Sequence, residues 1–401
     1  ASADDVDMAI AAAVEGARVM EALTGYERFL FLRKTADLMR ERQEELAQVL
    51  SSEEGKAIAE GRLEIDRAAQ TIELSGEEAK RLSGEILPLD GGKDVRNKLG
   101  FTLRVPCGVV AAVTPFNFPL NLVCHKVGPA LAAGNAVVLK PASDTPLISL
   151  KLVEILLKAG MPPLGFSCIT GSGRTVGEGI CSDPRVRKIS FTGSKEVGER
   201  ICSVAGIKKV TMELGSNCPM IVLPDADMEL VAQQTVASGF ANAGQVCISA
   251  QRLLVVDSVH DDFMNAVLPK VKGLVAGNQL EESSNVGPMV RESDAVRVES
   301  WIQEASEAGA RILAGGQRNG AIVQPAIVDD VTSDMRISRE ELFGPAVGVQ
   351  RVKDVDEAIR LANDSEFGLS AGIFTQDIDA AVRFAREVRS GNIHINWGPM
   401  W

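Results

Sequence analysis

Three side chains of this sequence stand in settings where their functional groups could do chemistry. Cys247 follows a segment rich in small residues, 239–246, which leaves room for a reactant to approach the sulfur. A buried thiol that packs as a small apolar group is the simpler interpretation. Glu213 lies between apolar residues, where a buried carboxylate is costly unless it has a partner or a task such as general-base catalysis. Asn117 is bracketed by two prolines, which favour either a rigid turn or an amide held to stabilise an oxyanion.

A second set of residues is suited to binding a nucleotide. Lys140 follows an apolar strand and could bind a ribose hydroxyl or a phosphate, or extend to solvent. Gly171, Gly173 and Gly177 form a glycine-rich turn that is one residue longer than the usual dinucleotide fingerprint, a weak signal alone. Ser194 is placed to cap a helix, and the N-terminus of a helix favours a phosphate.

These residues follow the strands of a predicted α/β fold. Residues 4–83 show the three- and four-residue apolar spacing that is typical of helices, and 87–104 predicts an extended arm or hairpin. Beyond Gly108, apolar strands alternate with helices, which indicates doubly wound parallel sheets covered on both faces. The predicted strands include 109–113, 136–139, 166–170, 188–191, 209–212, 253–256, 346–352 and 371–374. Ligands of such sheets bind beyond the carboxyl ends of the strands, where the polar residues above fall.

Composition limits the class of protein. A chain of 401 residues exceeds one simple core and favours two domains. The net charge of -12 does not favour a nucleic-acid or anionic-membrane partner, and no apolar run is long enough to predict a membrane span. Seven scattered cysteines without CxxC pairs argue against a disulfide framework or a metal site. They favour a reducing compartment, and we expect a cytoplasmic protein.

The motifs together resemble those of the aldehyde dehydrogenase superfamily over nearly the whole chain. Cys247 follows Glu213 by 34 residues, as in family members, and the run Asn121-Leu-Val-Cys-His-Lys126 is most similar to the branch that oxidises lactaldehyde and semialdehydes. Six segments occur in the family's order, namely Pro115-Phe-Asn-Phe-Pro119, Lys140-Pro-Ala142, Phe191-Thr-Gly-Ser194, Glu213-Leu-Gly215, Gly244-Gln-Val-Cys247 and Glu341-Leu-Phe-Gly-Pro345.

The resemblance implies catalytic roles for three residues. Cys247 would attack the aldehyde carbon as a thiolate and form a thiohemiacetal. The Asn117 amide and the main-chain N–H of Cys247 would stabilise the oxyanion, and hydride loss would leave a thioester. Glu213 would activate the water that hydrolyses this thioester to a carboxylic acid.

The resemblance also implies a binding site for NAD or NADP. By this resemblance, Glu341 and Lys140 would bind the two riboses of the cofactor, and Ser194 would lie along its phosphates. The full implied set is Thr114, Pro115, Phe116, Lys140, Ser143, Gly173, Gly177, Phe191, Gly193, Ser194, Val197, Leu214, Gly215, Glu341 and Phe343. Ser143 stands where NAD-preferring members often carry a glutamate, so we expect NADP to be accepted or preferred, although Asp144 could reach the same region.

For the aldehyde, the resemblance implies a tunnel, and a small-molecule aldehyde is the expected partner. Its expected lining is Phe118, Leu122, His125, Val246, Ile248, Trp397 and Trp401. His125 is either a hydrogen-bonded histidine on the inner face of a helix or an anchor for a hydroxyl or anionic group. The similarity to the lactaldehyde and semialdehyde branch favours a short polar aldehyde.

Two other functions remain open at this point. A CoA-acylating semialdehyde dehydrogenase is disfavoured because members of that branch usually lack the carboxylate at Glu213. A catalytically silent structural homologue is disfavoured because Cys247, Glu213 and Asn117 are all present.

The expected domains follow from the resemblance. Residues 1–86 and 108–214 would form a Rossmann-like cofactor domain, 87–107 an oligomerisation arm and 215–395 a catalytic domain. Residues 396–401 would begin a C-terminal segment, because family chains usually continue past Trp401. The arm implies self-association as a dimer or tetramer.

Overall fold

The computed structural model describes residues 1–400, and its chain forms two compact units. The first unit comprises Ala1–Leu50 and Arg62–Glu213. The second comprises Ser51–Gly61 and the chain from Leu214 onward. Residues 51–61 thus group with the second unit, whereas the sequence placed all of 1–86 in the cofactor domain. The elements are α/β with parallel sheets, as predicted.

Four helices precede the first sheet, and two of them begin with a capping box. The hydroxyls of Ser2 and Thr24 accept from the main-chain N–H of Asp5 and Glu27, whose carboxylates accept in return. These reciprocal bonds satisfy N–H groups that a helix leaves without partners at its start. The helices are α1 (Ala3–Ala22), α2 (Gly25–Glu41), α3 (Gln43–Glu54) and α4 (Ile58–Ala79).

The predicted arm is a short antiparallel ribbon of β1 (Ile86–Leu87) and β2 (Gly100–Phe101). Several of its apolar side chains are exposed, Leu99 by 79% and Phe101 by 62%. Apolar side chains at this exposure contribute no core to the arm itself.

The sheet of the first unit is parallel throughout, with strand order β5-β4-β3-β6-β7 in the described chain. Its inner strands β3 and β4 are buried along their length, which matches their continuous apolar sequence. The elements are β3 (Val109–Val113), α5 (Asn121–Ala132), β4 (Ala136–Lys140), α6 (Leu147–Lys158), β5 (Phe166–Cys168), α7 (Glu178–Ser182), β6 (Val186–Thr192), α8 (Lys195–Ala205) and β7 (Lys209–Glu213). β7 is an edge strand and is mostly exposed.

The larger sheet of the second unit has the order β10-β13-β14-β9-β8-β15-β16 among the described residues, parallel except for the β10–β13 pair. Its central strands β8, β9 and β15 are fully buried. The elements are β8 (Cys218–Val222), α9 (Met228–Gly239), β9 (Ala250–Val256), α10 (His260–Lys272), α11 (Glu292–Glu307), β10 (Arg311–Ala314), β11 (Arg318–Asn319), β12 (Ile322–Val323), β13 (Ala326–Asp329), α12 (Arg336–Arg339), β14 (Ala346–Val352), α13 (Val355–Ala362), β15 (Ser370–Phe374), α14 (Ile378–Glu387) and β16 (Asn392–Ile395).

Candidate active site

The first sheet has a topological switch point at the carboxyl ends of β3 and β6. The chain runs from β3 outward through β4 to β5 and then returns to β6 on the other side of β3. A crevice opens at such a point because the loops after the two strands turn in opposite directions. Thr114 follows β3 and Gly193 follows β6, so residues that the sequence assigned to the cofactor flank the crevice.

Lys140 ends β4, the neighbour of β3, and is 6% exposed. Its ammonium group donates to the Pro141 carbonyl oxygen at 2.8 Å, so the side chain does not extend to solvent. Burial lowers the pKa of Lys140, and the nearby Asp144 carboxylate partly offsets this effect. Ser143 is exposed close by and donates to the Gly171 carbonyl oxygen at 3.3 Å.

The glycine-rich turn lies beside this lysine. Gly173–Gly177 forms a π-helical turn, and α7 begins directly after it. A Cβ atom added at Gly177 would be 3.6 Å from Cδ of Lys140. The turn, Ser143 and Lys140 therefore form one polar cluster at the end of β4.

The N-terminus of α8 lies after β6, on the other side of the switch point. Ser194 caps α8 by accepting from the Val197 main-chain N–H, and Val197 is 48% exposed. Gly193 has no room for a side chain, because a Cβ atom there would collide with the Phe191 ring. Ser194 is exposed at this helix N-terminus, where peptide dipoles favour negative charge such as that of a phosphate.

A dinucleotide fits these residues. Thr114 Oγ1 is buried and has no hydrogen-bond partner among the described residues, so it can accept or donate to a ligand in the crevice. The buried Lys140 ammonium supplies charge for a ribose or phosphate, and α8 supplies a helix N-terminus. Pro115 and Phe116, also assigned to the cofactor, continue the same loop after β3 and are half-buried.

Asn117 is 2% exposed in the loop between β3 and α5. One side chain that the sequence analysis missed supports this loop. The Glu64 carboxylate accepts from the main-chain N–H groups of Leu120 and Asn121 at 2.9 and 3.0 Å, where α5 begins. A carboxylate is favourable there because it satisfies free N–H groups and complements the helix dipole. The only sequence signal was a glutamate within the apolar spacing of α4.

Glu213 is exposed at the end of β7, so the prediction of a buried carboxylate is wrong. The apolar neighbours Met212 and Leu214 suggested burial, but β7 is the edge strand and most of it faces solvent. Exposure leaves the Glu213 carboxylate accessible to water.

Lys126 is a second residue that the sequence analysis did not assign to the site. It is 7% exposed and donates to Thr192 Oγ1 at 2.7 Å, at the end of β6. Burial lowers the pKa of Lys126 to about 8, while the charge of Glu213 raises it. The Glu213 and Lys126 charges thus act on each other within the first unit. A lysine on an otherwise buried helical face was the available signal.

His125 is exposed on α5, so the interpretation as a hydrogen-bonded histidine on an inner helix face is wrong. It lines a cavity of about 330 Å³ whose wall includes Thr71, Ser75, Glu78 and Leu82. Desolvation in this cavity lowers the pKa of His125, and the neighbouring Lys126 charge lowers it further. The imidazole is therefore neutral at pH 7 and can donate one hydrogen bond.

Two apolar residues of the expected tunnel, Phe118 and Leu122, are half-buried between β3 and the first turns of α5.

In the second unit, Cys247 is half-buried and lies three residues before β9. The turn before it contains left-handed residues at Asn242, Ala243 and Gly244, with φ of 49°, 53° and 67°. A Cβ atom at Gly244 would collide with the Gly344 carbonyl oxygen, so only glycine fits.

The neighbours of Cys247 include two residues expected in the tunnel. Val246 is buried and Ile248 is half-buried. The Cys218 thiol, at the start of β8, lies 3.7 Å from the Cys247 carbonyl oxygen and donates to it. Cys218 therefore contacts the backbone of the candidate nucleophile from the start of strand β8.

The second unit also brings together residues that the sequence assigned to the cofactor. Glu341 accepts from the Ser216 main-chain N–H at 2.8 Å, and a side chain at Gly215 would collide with its carboxylate. Phe343 is left-handed with φ of 50° and half-buried, and Leu214 is half-buried at the start of the unit. Trp397 is 45% exposed, and Trp401 lies outside the described residues.

The described residues contain no group of three His, Cys, Asp or Glu side chains placed to bind a metal ion. Helices of the described chain are too short or too polar to cross a membrane.

The sequence model of the aldehyde dehydrogenase family matches residues 1–400. The chain belongs to the aldehyde dehydrogenase family. This membership confirms the resemblance that the motifs predicted, and it makes the protein an NAD(P)-dependent oxidoreductase.

Relatives of this aldehyde dehydrogenase are named for sulfolactaldehyde and succinate semialdehyde. A 3-sulfolactaldehyde dehydrogenase of Priestia megaterium is 47% identical over 396 residues, which cover 99% of this chain and 83% of the relative. The NADP-dependent succinate-semialdehyde dehydrogenase of Escherichia coli is 41% identical over 401 residues, covering 99% of this chain and 82% of the relative. These names confirm the similarity to the lactaldehyde and semialdehyde branch.

A solved structure supports both the fold and the cofactor of this aldehyde dehydrogenase. Glyceraldehyde-3-phosphate dehydrogenase of Methanocaldococcus jannaschii, complexed with NADP, superposes with a TM-score of 0.96 at 37% identity. The match covers 100% of this chain and 87% of that one. The family's use of NAD or NADP was therefore predicted correctly.

Proposed function

We propose that this aldehyde dehydrogenase oxidises a short polar aldehyde to its carboxylic acid through a covalent intermediate on Cys247. The observation that carries the proposal is the presence of Cys247, Glu213 and Asn117 together in a chain that matches the family along its described length. The Cys247 thiolate adds to the aldehyde carbon, and the C=O electron pair becomes an oxyanion. The Asn117 side-chain amide and the Cys247 main-chain N–H donate hydrogen bonds to this oxyanion.

Collapse of the oxyanion expels hydride and leaves a thioester on Cys247; NAD(P), when bound, supplies the hydride acceptor. Glu213 then accepts a proton from water as the water oxygen attacks the thioester carbon. The acid and the Cys247 thiolate leave. The exposure of Glu213 supports this role, because a water-activating carboxylate needs access to water. The presence of this carboxylate favours hydrolysis over transfer to the thiol of CoA.

A stopped-flow burst experiment with NADP and a short aldehyde tests this sequence of steps. Cys247→Ser should abolish both burst and turnover, because an alcohol is far less ionised than a thiol. Glu213→Gln should retain a burst of one reduced cofactor per site and lose steady-state turnover, with the acyl group detectable on Cys247 by intact mass. Full activity of Cys247→Ser would refute the covalent mechanism. Faster turnover of Glu213→Gln with CoA than with water would favour the acylating alternative.

The cavity at His125 is lined mostly by apolar residues, and His125 is the side chain in it that can donate to a polar substrate. The His125 imidazole can donate one hydrogen bond to a hydroxyl or a carboxylate of the substrate. The Thr71 and Ser75 hydroxyls donate to the main-chain oxygens of Arg67 and Thr71, so they can only accept from a substrate. The relatives' substrates, sulfolactaldehyde and succinate semialdehyde, are short and polar by name. We therefore propose a substrate of that chemical class.

A panel of lactaldehyde, succinate semialdehyde and hexanal tests the substrate class. His125→Ala should raise KM for the polar aldehydes by about tenfold, the equivalent of about one good hydrogen bond, and leave hexanal unchanged. Preference of the unmodified enzyme for hexanal would contradict the assignment.

The cofactor cluster supports NADP over NAD. Ser143 is exposed beside the buried Lys140 ammonium, so a 2′-phosphate meets a hydroxyl and a positive charge. A carboxylate at this position would repel the phosphate instead.

Self-association and a cytoplasmic location complete the proposal. Exposed apolar side chains on the arm, Leu99 and Phe101 among them, support a contact with a second copy of the chain. Light scattering of Phe101→Glu should show a smaller particle than the unmodified protein. All seven cysteines are free, which is consistent with a reducing compartment.

A further inference from the structure

The turn that precedes Cys247 has an unfavourable backbone. Asn242 and Ala243 are left-handed, with φ, ψ of 49°, 40° and 53°, 36°, and Gly244 continues the same conformation. Residues with a Cβ atom rarely adopt this region, and two in succession persist only when their surroundings hold them. Something outside the turn must therefore supply the stabilisation.

Two carboxylates from residues 51–61 bind this turn within the second unit. Both oxygens of Glu60 accept from the Asn242 main-chain N–H, at 3.0 and 3.1 Å. Glu54 accepts from the Asn242 side-chain amide at 2.8 Å. Glu60 precedes Asn242 by 182 residues, so the contact is made only by folding. Hydrogen bonds to an ionised acceptor are stronger than neutral ones, which suits them to hold a strained backbone.

Gln245 adds further hydrogen bonds at the end of the turn. The Gln245 side-chain amide and main-chain N–H both donate to the Asn242 carbonyl oxygen, at 3.1 and 3.0 Å. Gln245 in turn accepts from the Val290 N–H at 3.0 Å. The burial of Glu54, which is 1% exposed, would be costly unless its hydrogen bonds offset the loss of water.

We infer that Glu60, assisted by Glu54, is a positioning residue for the nucleophile and acts through Asn242. Cys247 lies five residues beyond Asn242, and its N–H and sulfur are the groups that the reaction requires in place. The inference rests on the proposed function, since it assumes that Cys247 forms the covalent intermediate. Glu60 itself transfers no proton and touches no substrate in this role.

Glu60→Gln is the first test. Glutamine keeps one acceptor but turns an amide donor toward the Asn242 N–H, so the bidentate contact is lost. We expect kcat to fall about 10- to 100-fold, the effect of a small misplacement of a reacting group, while KM for NADP is unchanged. Asp354→Ala is the control, because it removes another carboxylate–backbone contact of this unit, at the start of α13. The control should lower thermal stability and leave kcat unchanged.

Ala243→Gly distinguishes positioning from a loss of stability alone. Glycine adopts φ of 53° without strain, so the turn needs less support. The kcat of the double variant Glu60→Gln, Ala243→Gly should therefore be at least tenfold higher than that of Glu60→Gln alone. If Glu60→Gln does not fold, Glu60→Asp is measured in the same way, because it keeps the charge but is too short to hold the same contact with the Asn242 N–H.

Three outcomes overturn the inference. The first is a folded Glu60→Gln whose kcat lies within twofold of that of the unmodified enzyme. The others are a loss of kcat no larger than that of Asp354→Ala, and a kcat of Glu60→Gln that Ala243→Gly does not raise. Cys247→Ser distinguishes failure of the positioning role from failure of the covalent mechanism. If Cys247→Ser is inactive while Glu60→Gln is normal, only the positioning role fails. If Cys247→Ser is active, the proposed function itself fails.

Discussion

Replacement of the buried Lys126 by methionine should stabilise the protein at neutral pH. The pKa of Lys126 is about 8 rather than 10.5, chiefly because burial disfavours the ammonium ion. At about 1.4 kcal/mol per pH unit, this difference corresponds to about 3 kcal/mol of lost stability at pH 7. Methionine matches the lysine stem and carries no charge, but it loses the hydrogen bond to Thr192, worth about 1 kcal/mol. We expect Lys126→Met to be about 2 kcal/mol more stable at pH 7.

The gain should disappear at alkaline pH. Between pH 8 and 10.5 the unfolded chain keeps the proton of Lys126 while the folded chain releases it, so stability rises with pH in this window. Near pH 9.5 the remaining penalty is about 1 kcal/mol, which the lost hydrogen bond cancels. The variant and the unmodified protein should then have equal stability.

Calorimetry at pH 7 and pH 9.5 measures this directly. For a unit of about 200 residues, 2 kcal/mol corresponds to a rise in Tm of roughly 4 to 8 °C at pH 7 and none at pH 9.5. Lys208→Met is the control, because Lys208 also donates hydrogen bonds but is only half-buried. A Tm difference between Lys126→Met and the unmodified protein that is the same at both pH values would refute the reasoning.

Substitutions at three further positions, with their controls, test other parts of the site. Ser143→Glu should lower kcat/KM for NADP by tenfold or more, because a carboxylate repels a 2′-phosphate, and leave NAD nearly unaffected; a strong NAD preference before substitution would contradict the cofactor proposal. Gly244→Ala should abolish activity or folding, because a Cβ atom there collides with the Gly344 carbonyl oxygen. Gly320→Ala is the control, because Gly320 has a similar φ of 58° with no atom nearby, and it should cost about 1 kcal/mol of stability. Equal losses of stability in urea unfolding would argue against the collision. Glu64→Ala should destabilise by about 1 to 2 kcal/mol in the same assay, and Glu64→Gln by less because it keeps the acceptor oxygen, so the reverse order would contradict the capping role.

Elements with a strong local pattern were predicted closely from sequence. The strand at 109–113 matches β3 residue for residue, because a continuous apolar run that follows a glycine favours a buried strand. The strand at 346–352 likewise matches β14, where an apolar segment follows Pro345. The π-helical turn at Gly173–Gly177 was not predicted, since its sequence is equally compatible with a regular helix. Strand β8 was also missed, because Pro219 interrupts a short apolar run that alone does not favour a strand.

At the site, residue types could be predicted but their surroundings could not. The motifs around Cys247, Glu213 and Lys140 identified the family without any coordinates. The exposure of Glu213 could not be foreseen, because it depends on β7 being an edge strand and not on the apolar residues next to it. The burial of Lys126 depends likewise on β6 and α5 packing together.

The sequence by itself therefore determined the family and the alternation of parallel strands and helices, since these depend on residue type and short-range spacing. Only the tertiary structure decided which distant groups support them. Glu60 and Glu54 hold the turn before Cys247 from a segment nearly two hundred residues earlier, and Glu64 caps α5 from another helix. Such contacts have no local signal, because chain folding brings the partners together and the low dielectric around them sets their strength.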